Sequence, residues 1–384
     1  MSTVHNIANG NADINTDVNA DGRWNTPLTQ ALGCRYPIIQ TAMGWVSDAN
    51  LVIATTRAGG FGFLAGATMD TEQVESEIKK VIAATGTSNF GLNFHMFQEN
   101  AQQCLDLAIS YKLRAVSYGR GPDQATIARL KAAGVLCIPT VGAVKHAIKA
   151  VELGADMITI QGSEGGGHTG SVPSSILLPQ VLNAVSVPVI AAGGFSCGRG
   201  LASVLGAGAA GMAMGTRFLL TSDAPTPKNT QQRYIDTQDS SEISISTAVD
   251  GMRHRMINTP FITELERAGG IKRLWLALTS ARQWQQEMGM TYFHMLKVFV
   301  KGLREDPKAA ATLIMSANQP VLIQKSMVDG KPDEGILPSG QVAASINNLP
   351  SVSTLIDEII TEADNCLEQL INRRTTGQPN KEAS

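Results

Sequence analysis

The sequence predicts an α/β fold, a closed (β/α)8 TIM barrel with a C-terminal, mainly helical extension, and two observations support it. From Tyr36 to Phe218, short apolar runs alternate with amphipathic segments of helix length, which is the pattern of repeated βα units. The apolar runs number eight, and eight parallel βα units close a barrel. An open doubly wound sheet is the alternative, because it is also assembled from serial βα units.

The eight candidate strands are bounded by glycine, proline or polar residues. In chain order they are YPIIQTAM (36–43), GFGFLAG (60–66), NFGLNF (89–94), AVSYG (115–119), LCIPTV (136–141), MITIQG (157–162), PVIAAGG (188–194) and AGMAMGTRF (210–218). The helices between them start at ordinary N-terminal signals, such as Ser47 with Asp48 and Asp70 with Thr71. Gly134 ends the helix QATIARLKAAG, as a C-terminal glycine should.

The composition along the chain predicts four segments. Residues 1–22 are rich in Asn and Asp and lack the apolar centre of a signal peptide, which predicts a disordered tail. Residues 23–222 hold the barrel, and residues 223–374 form the extension, which we expect to pack on the barrel as a lid. The extension contains long helices within residues 261–302 and a final helix, VSTLIDEIITEADNCLEQLINRR. Residues 375–384 are predicted to be a second disordered tail.

The overall composition excludes several classes of partner. A net charge of −2 and a pI near 6.3 give no reason to expect nucleic acid or an anionic membrane surface. The longest uncharged run, Gly200–Thr216, divides naturally into a helix and a strand, so no transmembrane segment is predicted. Five scattered cysteines without a CxxC spacing favour reduced thiols in a cytoplasmic protein. The oligomeric state stays open, with a homodimer as one alternative.

The glycine-rich segment IQGSEGGGHTG, residues 160–170, is the strongest chemical signal in the chain. It follows the sixth predicted strand, and barrel enzymes keep their active sites at the C-terminal ends of the strands. Glycine lets the backbone approach a ligand closely, and a histidine such as His168 exchanges protons near neutral pH. The simpler interpretation is a lone histidine in a surface turn. Whether His168 is functional therefore depends on the residues at the neighbouring strand ends.

Two of those strand ends predict a phosphate site. Gly193 and Gly194 end the seventh strand, and Gly215 and Thr216 end the eighth. Backbone N–H groups at these two ends, together with a helix N-terminus, commonly bind phosphate in this fold. Each glycine alone would only permit a tight turn, but the pair of adjacent ends favours phosphate binding. The segment GAGAAG also matches G-x-G-x-x-G, but it precedes a strand and is rejected as a dinucleotide motif.

No metal site and no strained nucleophile is predicted. The histidines show no HxxxH or carboxylate-spaced set, and GSEGG does not match G-x-S-x-G. Catalysis would therefore require a bound cofactor beside His168. A non-catalytic barrel that binds a phosphorylated ligand is the alternative from another functional class.

Several segments resemble one family, the FMN-dependent barrel oxidoreductases of the nitronate monooxygenase group, formerly called 2-nitropropane dioxygenases. The segments are PIIQTAMGWVSDANLVIATTRAGGFGFLAG, FGLNF, IQGSEGGGHTG, VPVIAAGGF and GAGMAMGTRFLLT. The resemblance runs from about Pro27 to Leu220, and its most specific part is the block Q-G-x-E-x-G-G-H-x-G. The group includes flavin enoyl-acyl-carrier-protein reductases and NAD(P)H:quinone reductases. The resemblance implies FMN as the cofactor.

The resemblance also implies roles for single residues. The cofactor-binding residues that it suggests are Ala42, Met43 and Gly44 along the flavin ring, Asn93 and Gln161 as polar contacts, Gly166 and Gly167 against the cofactor, and Gly193, Gly194, Gly215 and Thr216 around the phosphate. His168 matches the histidine that acts as the base, and we expect it to be the general acid/base. Glu164 is expected either to orient His168 or to be a solvent-facing carboxylate of the turn.

The C-terminal half narrows the expected activity. VDGMRHRMINT, SANQPVLIQKSMVDG and GILPSGQVAASINNLPS resemble the longer bacterial members that act as CoA-thioester dehydrogenases in the degradation of the steroid C and D rings. The resemblance therefore implies an NAD(P)-linked dehydrogenase or reductase whose small-molecule substrate is an acyl-CoA. A nitronate monooxygenase that uses O2 and a flavin enoyl reductase are the alternatives. Quinone-reductase-like members carry a lysine where this chain has Thr140, so their activity is not carried over.

The expected substrate contacts come from both halves of the chain. Trp45 and the helices between residues 261 and 300 are expected to form the substrate wall. Four basic residues are expected either to meet the phosphates of an acyl-CoA or to form a solvated face. They are Arg253, Arg255, Lys272 and Arg273.

Overall fold

The structure, a computed structural model, describes residues 24–96, 98–119, 123–269, 279, 282 and 318–375. The predicted N-terminal tail and almost all of the C-terminal tail lie outside these residues. Most of the predicted long helices within residues 261–302 also lie outside them, as do Lys272 and Arg273.

Parallel strands form the centre of the molecule. The strands within the described residues are β1 (Ile38–Gln40), β2 (Phe61–Ala65), β3 (Gly91–His95), β4 (Ala115–Gly119), β5 (Leu136–Cys137), β6 (Thr140–Val141), β7 (Ile158–Gln161), β8 (Gly167–His168), β9 (Val189–Ala192), β10 (Gly211–Met214), β11 (Ile243–Ser246) and β12 (His254–Ile257). Nine of them form one sheet in the order β5-β4-β3-β2-β1-β10-β9-β7-β6. Its strand pairs are parallel throughout, as serial βα units require.

The sheet closes because β5 and β6 are two halves of the fifth predicted strand. Pro139 interrupts that strand, since proline has no N–H for the ladder. The hydrogen bonds nevertheless continue across the break on both sides: Ile138 N donates to Val116 O at 2.9 Å, and Thr159 N donates to Pro139 O at 2.9 Å. The predicted eight-stranded barrel is thereby confirmed.

Helices follow the strands. Those described are α1 (Pro27–Leu32), α2 (Ala49–Arg57), α3 (Thr71–Thr85), α4 (Ala101–Ser110), α5 (Gln124–Ala132), α6 (Val144–Glu152), α7 (Ser174–Leu182), α8 (Gly198–Gly206), α9 (Thr216–Leu219), α10 (Lys228–Ile235), α11 (Pro260–Arg267), α12 (Asn318–Met327) and α13 (Val352–Thr375). The predicted N-caps at Asp48 and Asp70 are confirmed, because their carboxylates accept hydrogen bonds from Leu51 N and Gln73 N. Among the described residues, no helix combines the length and apolarity needed to cross a membrane.

Several predicted strands are shorter than expected, the first and the eighth most of all. The first ends at Gln40, and the eighth ends at Met214, after which residues 216–219 form the short helix α9 instead of continuing the strand. Arg217 explains the turn at α9, because its buried guanidinium bonds back to Leu220 O and to the carbonyl oxygen of Asn348. The residues after each strand are thus free to form loops at the C-terminal end of the barrel.

The last helix, α13, completes the ring of helices around the barrel. It contacts α8 and α2, which flank β10 and β1. Glu362 of α13 accepts a hydrogen bond from Gly198 N at 2.7 Å and so caps α8. The chain between α9 and α13 is therefore inserted between the last barrel strand and the last outer helix. The predicted boundary between barrel and extension at residue 222 remains a proposal. All the barrel strands precede it, but the outer helix α13 follows it.

A second, small sheet connects the extension to the barrel. It has the strand order β11-β12-β8, and both strand pairs are antiparallel. Strands β11 and β12 form a hairpin within the extension. Strand β8 belongs to the glycine-rich sixth loop, and its His168 lies opposite His254 of β12. The extension consequently holds the residue for which acid/base chemistry is expected.

Candidate active site

Apart from Asn93, which lies within β3, the predicted cofactor and acid/base residues lie at or beyond the C-terminal ends of the barrel strands, and contacts connect most of those ends. A Cβ at Gly215, after β10, would lie 3.1 Å from Oγ1 of Thr41 and 3.5 Å from Sδ of Met43, both after β1. On the other side, Thr216 Oγ1 accepts a hydrogen bond from Gly340 N at 2.9 Å. The first loop, the eighth strand end and the extension therefore meet at one edge of the barrel.

A buried network of hydrogen bonds at Gln40 and Ser47 holds the first loop, which carries Ala42, Met43 and Gly44. Ser47 Oγ accepts hydrogen bonds from Met43 N at 2.8 Å and from Gln40 Nε2 at 2.9 Å. Gln40 and Ser47 are almost completely buried, so these bonds are shielded from water. The network holds the loop in a single position at the end of β1.

Trp45 has an unusual backbone conformation in the same loop. Its φ is 61°, in the left-handed region that bulky residues rarely adopt. Its N–H donates to Thr68 Oγ1 at 3.3 Å, which helps to hold this conformation. Strained residues of this kind concentrate at functional sites, and the position of Trp45 is compatible with the predicted substrate wall.

The two predicted amide side chains occupy different parts of the site. Asn93 of β3 donates from Nδ2 to Ser117 O at 3.1 Å, within the barrel wall. Gln161, at the end of β7, donates from Nε2 to His168 O at 3.1 Å and to Gly166 O at 3.3 Å. Gln161 therefore shapes the sixth loop itself, a role that the sequence did not reveal.

The seventh strand end packs directly against the sixth loop. Gly193 and Gly194 have φ values of +102° and +84°, which favour glycine. A Cβ at Gly193 would lie 3.0 Å from Gly162 N, and one at Gly194 would lie 3.2 Å from Cβ of Glu164. The N-terminus of the following helix is occupied by Glu362, so α8 does not supply the helix N-terminus that was expected to back a phosphate at this end.

The acid/base candidate is paired with a buried carboxylate. His168 Nε2 lies 2.6 Å from Oδ2 of Asp250, whose side chain is fully buried. Oδ1 of Asp250 accepts a hydrogen bond from Met252 N at 2.9 Å. Burial alone would raise the pKa of Asp250, but the hydrogen bonds from His168 and Met252 outweigh it and lower the pKa.

The ionised state of Asp250 assigns the two ring nitrogens of His168. A carboxylate only accepts hydrogen bonds, so Nε2 carries the proton and donates a hydrogen bond to Asp250. In the neutral ring, Nδ1 is then the nitrogen with a free lone pair. The His168 side chain is 38% exposed, whereas Asp250 is at 0%. Nδ1 is thus the basic atom of a ring whose other nitrogen is held by a buried carboxylate.

Glu164 does not orient His168, so that expectation was wrong. Its carboxylate accepts hydrogen bonds from Ser174 N at 2.9 Å and from Ser174 Oγ at 3.1 Å, at the start of α7. Helix α7 has no side-chain cap of its own at Pro173. Glu164 therefore caps that helix, and Asp250 is the residue that holds His168.

A second histidine lies beside this pair. The ring centroids of His254 and His168 are 4.9 Å apart, and His254 is completely buried. Among the described residues, neither ring nitrogen of His254 has a hydrogen-bond partner. Burial, together with the neighbouring His168, lowers the pKa of His254 to about 3, so its ring is neutral at neutral pH.

The depressed pKa of His254 predicts a loss of stability on mild acidification. Between its ordinary pKa of 6.5 and the folded-state value of about 3, the unfolded chain takes up a proton that the folded chain does not. We expect the free energy of unfolding to fall by about 2 kcal/mol between pH 7 and pH 5 from this group alone. The depressed pKa of Asp250 acts only at lower pH, because its stabilisation is lost as the pH falls below about 4.

Urea unfolding at the two pH values measures this effect. His254→Gln should remove about 2 kcal/mol of the difference between pH 7 and pH 5. His146→Gln, on the exposed face of α6, is the matched control and should keep the wild-type difference. An equal pH dependence in wild type and His254→Gln would show that His254 is not buried as a neutral ring.

The extension also covers the glycine-rich loop. Gln341 N donates to Glu164 O at 2.9 Å, and a Cβ at Gly166 would lie 2.6 Å from Gly340 N. Gly167 has a φ of +72°, and a Cβ there would approach His254 Nε2 at 3.9 Å. The glycines at 166 and 167 thus allow the close approach of the extension, independently of any ligand.

The four basic residues expected near an acyl-CoA do not form one set. Arg255 is 8% exposed, and its Nε donates to Ser163 O at 2.9 Å, so it supports the sixth loop and does not face solvent. Burial lowers the pKa of Arg255 although Glu164 opposes this. Arg253 is exposed, and Lys272 and Arg273 lie outside the described residues. For Arg255, the expectation of an exposed phosphate ligand was wrong.

The sequence did not identify Asp250, His254 or Gly340 as parts of the site. The local signal for two of them is the spacing of an aspartate and a histidine four residues apart in VDGMRH, which contradicts the prediction that no histidine belongs to a carboxylate-spaced set. The structure brings one ligand atom each of His168, Asp250 and His254 within 4.8 Å of one another. A group that could hold a metal ion therefore exists where the sequence predicted none.

Known proteins share this architecture. The model of the nitronate monooxygenase family matches residues 25–362. A Rhodococcus jostii protein, (3aS,4S,5R,7aS)-5-hydroxy-7a-methyl-1-oxo-octahydro-1H-indene-4-carboxyl-CoA dehydrogenase, is 42% identical over 338 residues, which cover 88% of this chain and 95% of that protein. A probable nitronate monooxygenase of Staphylococcus aureus is 32% identical over 64% of this chain and 82% of that protein. FabK from Thermotoga maritima matches with a TM-score of 0.72 and 26% identity over 91% of this chain and 99% of that structure.

The match of the family model to most of the chain defines the class of this βα-barrel protein as a flavin oxidoreductase. The chain belongs to the nitronate monooxygenase family. The resemblance found in the sequence is confirmed, and so is the assignment as an enzyme.

Proposed function

We propose that this protein is an FMN-dependent, NAD(P)-linked dehydrogenase or reductase that acts on the CoA thioester of a steroid-derived or polycyclic acid. The proposal rests on the likeness to the Rhodococcus dehydrogenase, which extends through both the barrel and the extension. The extension provides Asp250, the partner of His168. The observation that carries an acid/base reaction at this place is the 2.6 Å contact between these two residues.

The residues at the strand ends fit a flavin mononucleotide. Backbone groups at Gly193, Gly194 and Gly215 are the ones that we propose to hold the phosphate at these adjacent strand ends, and the hydroxyl of Thr216 lies at the same edge. The amide side chains of Asn93 and Gln161 can exchange hydrogen bonds with the polar edge of a flavin ring. Ala42, Met43, Gly44, Gly166 and Gly167 are the further residues that we propose to line the cofactor.

When bound, the flavin supplies hydride transfer, and the protein supplies binding, orientation and proton transfer. We assign proton transfer to His168, with Nδ1 as the atom that accepts a proton from the substrate or returns one to it. Asp250 fixes the tautomer that leaves Nδ1 free, and it stabilises the ring when Nδ1 is protonated. Strand β12 holds the backbone of His168, so the ring does not have to be ordered at each turnover.

The role of Gly194 in cofactor binding gives a test with a matched control. Gly194→Val adds a Cβ 3.2 Å from Cβ of Glu164 and so displaces the strand end and the sixth loop beside the proposed phosphate position. We expect it to weaken FMN binding at least about tenfold, a loss of roughly 1.4 kcal/mol. Gly86→Val is the control: its φ of +69° gives comparable backbone strain, but nothing lies within 4 Å of the added Cβ. Fluorescence titration of the apoprotein with FMN would give both affinities. Equal affinities would contradict the assignment of Gly194.

Anaerobic titration of the flavin-loaded protein tests the reaction. We expect a CoA thioester of a hydroxylated bicyclic acid to reduce the flavin, or the reduced flavin to be reoxidised by the corresponding oxidised thioester. NADH and NADPH, added separately, identify the pyridine nucleotide. A flavin that responds to neither the thioesters nor the nucleotides would refute the proposed function.

Nitronate oxidation is the second candidate, because the family model and the Staphylococcus relative carry that name. Rapid anaerobic reduction of the flavin by an alkyl nitronate, without a response to acyl-CoA, would favour it over the dehydrogenase. An enoyl reductase would reoxidise its reduced flavin with an enoyl thioester. A cytoplasmic location and a homodimer stay predictions.

A further inference from the structure

Among the described residues, His254 is the one that has two buried side-chain atoms without a hydrogen-bond partner. It is completely buried beside the site, and no hydrogen-bond partner for either ring nitrogen lies among the described residues. A buried polar group without a partner costs about 1–3 kcal/mol, so native proteins seldom retain one without a functional reason. The proton transfer assigned to His168 does not use His254, and its ring therefore calls for another explanation.

The backbone fixes His254 and His168 as a pair. They lie directly opposite each other on the antiparallel strands β12 and β8, so their side chains leave the sheet on the same face. Their ring centroids are 4.9 Å apart. Asp250 enters from the turn that precedes β12, and Asn318 supports that turn by donating from Nδ2 to Val249 O at 2.9 Å. The β11–β12 hairpin and the facing strand β8 thus bring the side chains of His168, Asp250 and His254 together.

The donor set suits a divalent transition metal. Two imidazoles and one carboxylate bind Zn2+, Fe2+ or Mn2+ in many proteins, with the remaining position open to water or substrate. Oδ1 of Asp250 is engaged by Met252 N, which leaves Oδ2 for a metal. The candidate ligand atoms lie within 4.8 Å of one another. Tetrahedral bonds of roughly 2.1 Å would separate ligand atoms by about 3.4 Å, so side-chain shifts of about 1 Å would complete the site.

We propose that His168, Asp250 and His254 form a binding site for a divalent first-row transition metal, which inhibits the enzyme when it is occupied. The metal would take Nε2 of His168, Oδ2 of Asp250 and one ring nitrogen of His254. Binding of the metal does not depend on the proposed function, but the inhibition does.

Inhibition follows from the position of a single proton. Without metal, Nε2 of His168 carries the proton and Nδ1 has the free lone pair. A metal on Nε2 requires the proton of the neutral ring to leave that nitrogen, and exchange with solvent places it on Nδ1. The number of protons on the ring does not change, but the atom that would accept a proton from the substrate is blocked.

Isothermal titration of the flavin-loaded full-length protein with Zn2+, without substrate, tests binding. We expect one Zn2+ per chain in wild type, and at least about tenfold weaker binding in His254→Gln and in Asp250→Asn. His146→Gln, which changes an exposed histidine of α6, should bind as wild type does. Turnover should fall as Zn2+ fills the site and should return when EDTA is added.

X-ray absorption of the Zn2+-loaded wild type keeps the proposal testable even where a variant fails to fold. We expect two imidazole nitrogens in the spectrum, at about 2.0–2.1 Å from the metal. No stoichiometric Zn2+, fewer than two imidazole ligands, or folded variants that bind with unchanged affinity would each overturn the proposal. Stoichiometric binding without any effect on turnover would overturn the inhibition alone, whereas an enzyme inactive even without metal would count against the proposed function and not against the site.

Discussion

His168→Ala is expected to leave the protein yellow while turnover falls by about 10²- to 10⁴-fold, which is the usual contribution of a positioned general acid/base. The flavin should stay bound, because the proposed cofactor contacts come from other strand ends and from backbone. The measurement is kcat for the acyl-CoA reaction together with the FMN content of the purified variant.

Chemical rescue distinguishes a catalytic from a structural role of His168. Added imidazole can replace the missing ring in the space left by His168→Ala, so we expect part of kcat to return. His146→Ala is the control, since it removes an exposed histidine that is not among the proposed site residues, and it should retain full activity. Loss of FMN together with activity would mean that His168 mainly supports the sixth loop.

Asp250→Asn is expected to have an effect of similar size, a fall in kcat of about 10²- to 10⁴-fold. Asparagine keeps the shape of the side chain, but its amide can donate to Nε2 and so stabilise the opposite tautomer, with the proton on Nδ1. The basic atom is then lost although the ring is still present. Because the change affects the tautomer, kcat should fall much more than KM rises.

The control for this substitution is Asp329→Asn, which changes an exposed aspartate and should leave kcat unchanged. FMN affinity of Asp250→Asn should stay within a few fold of wild type. A variant that loses flavin, or one whose KM alone changes, would contradict the assignment of Asp250 as the residue that positions His168.

The fold was predictable because the signals for its barrel are local. Each apolar run is bounded by residues that end a strand, and carboxylates such as Asp70 mark the helix starts. Even Pro139, which interrupts the fifth strand, left the count of eight unchanged, because the ladder resumes beyond it. The position of α13 was not predictable, since its contact with α8 depends on the path of the whole inserted segment.

The candidate site was predictable only where its residues follow barrel strands. His168 and the glycines are at such places, so topology alone brings them together. Asp250 and His254 reach His168 through the pairing of two short strands far apart in the chain, for which the sequence carries no local signal. Glu164 was assigned by closeness in sequence, but the free N-terminus of α7 offers it better hydrogen bonds than the imidazole does.

The pairing of β8 with β12 has a consequence for protein engineering. The ring proposed to move the proton, His168, is encoded in the barrel, whereas Asp250 and strand β12, which hold it, are encoded in the insertion. A chimera that exchanges only one of these parts with a relative would separate the imidazole from its carboxylate. Directed changes of specificity should therefore treat residues 162–173 and 243–257 as a single module that is transferred or retained together.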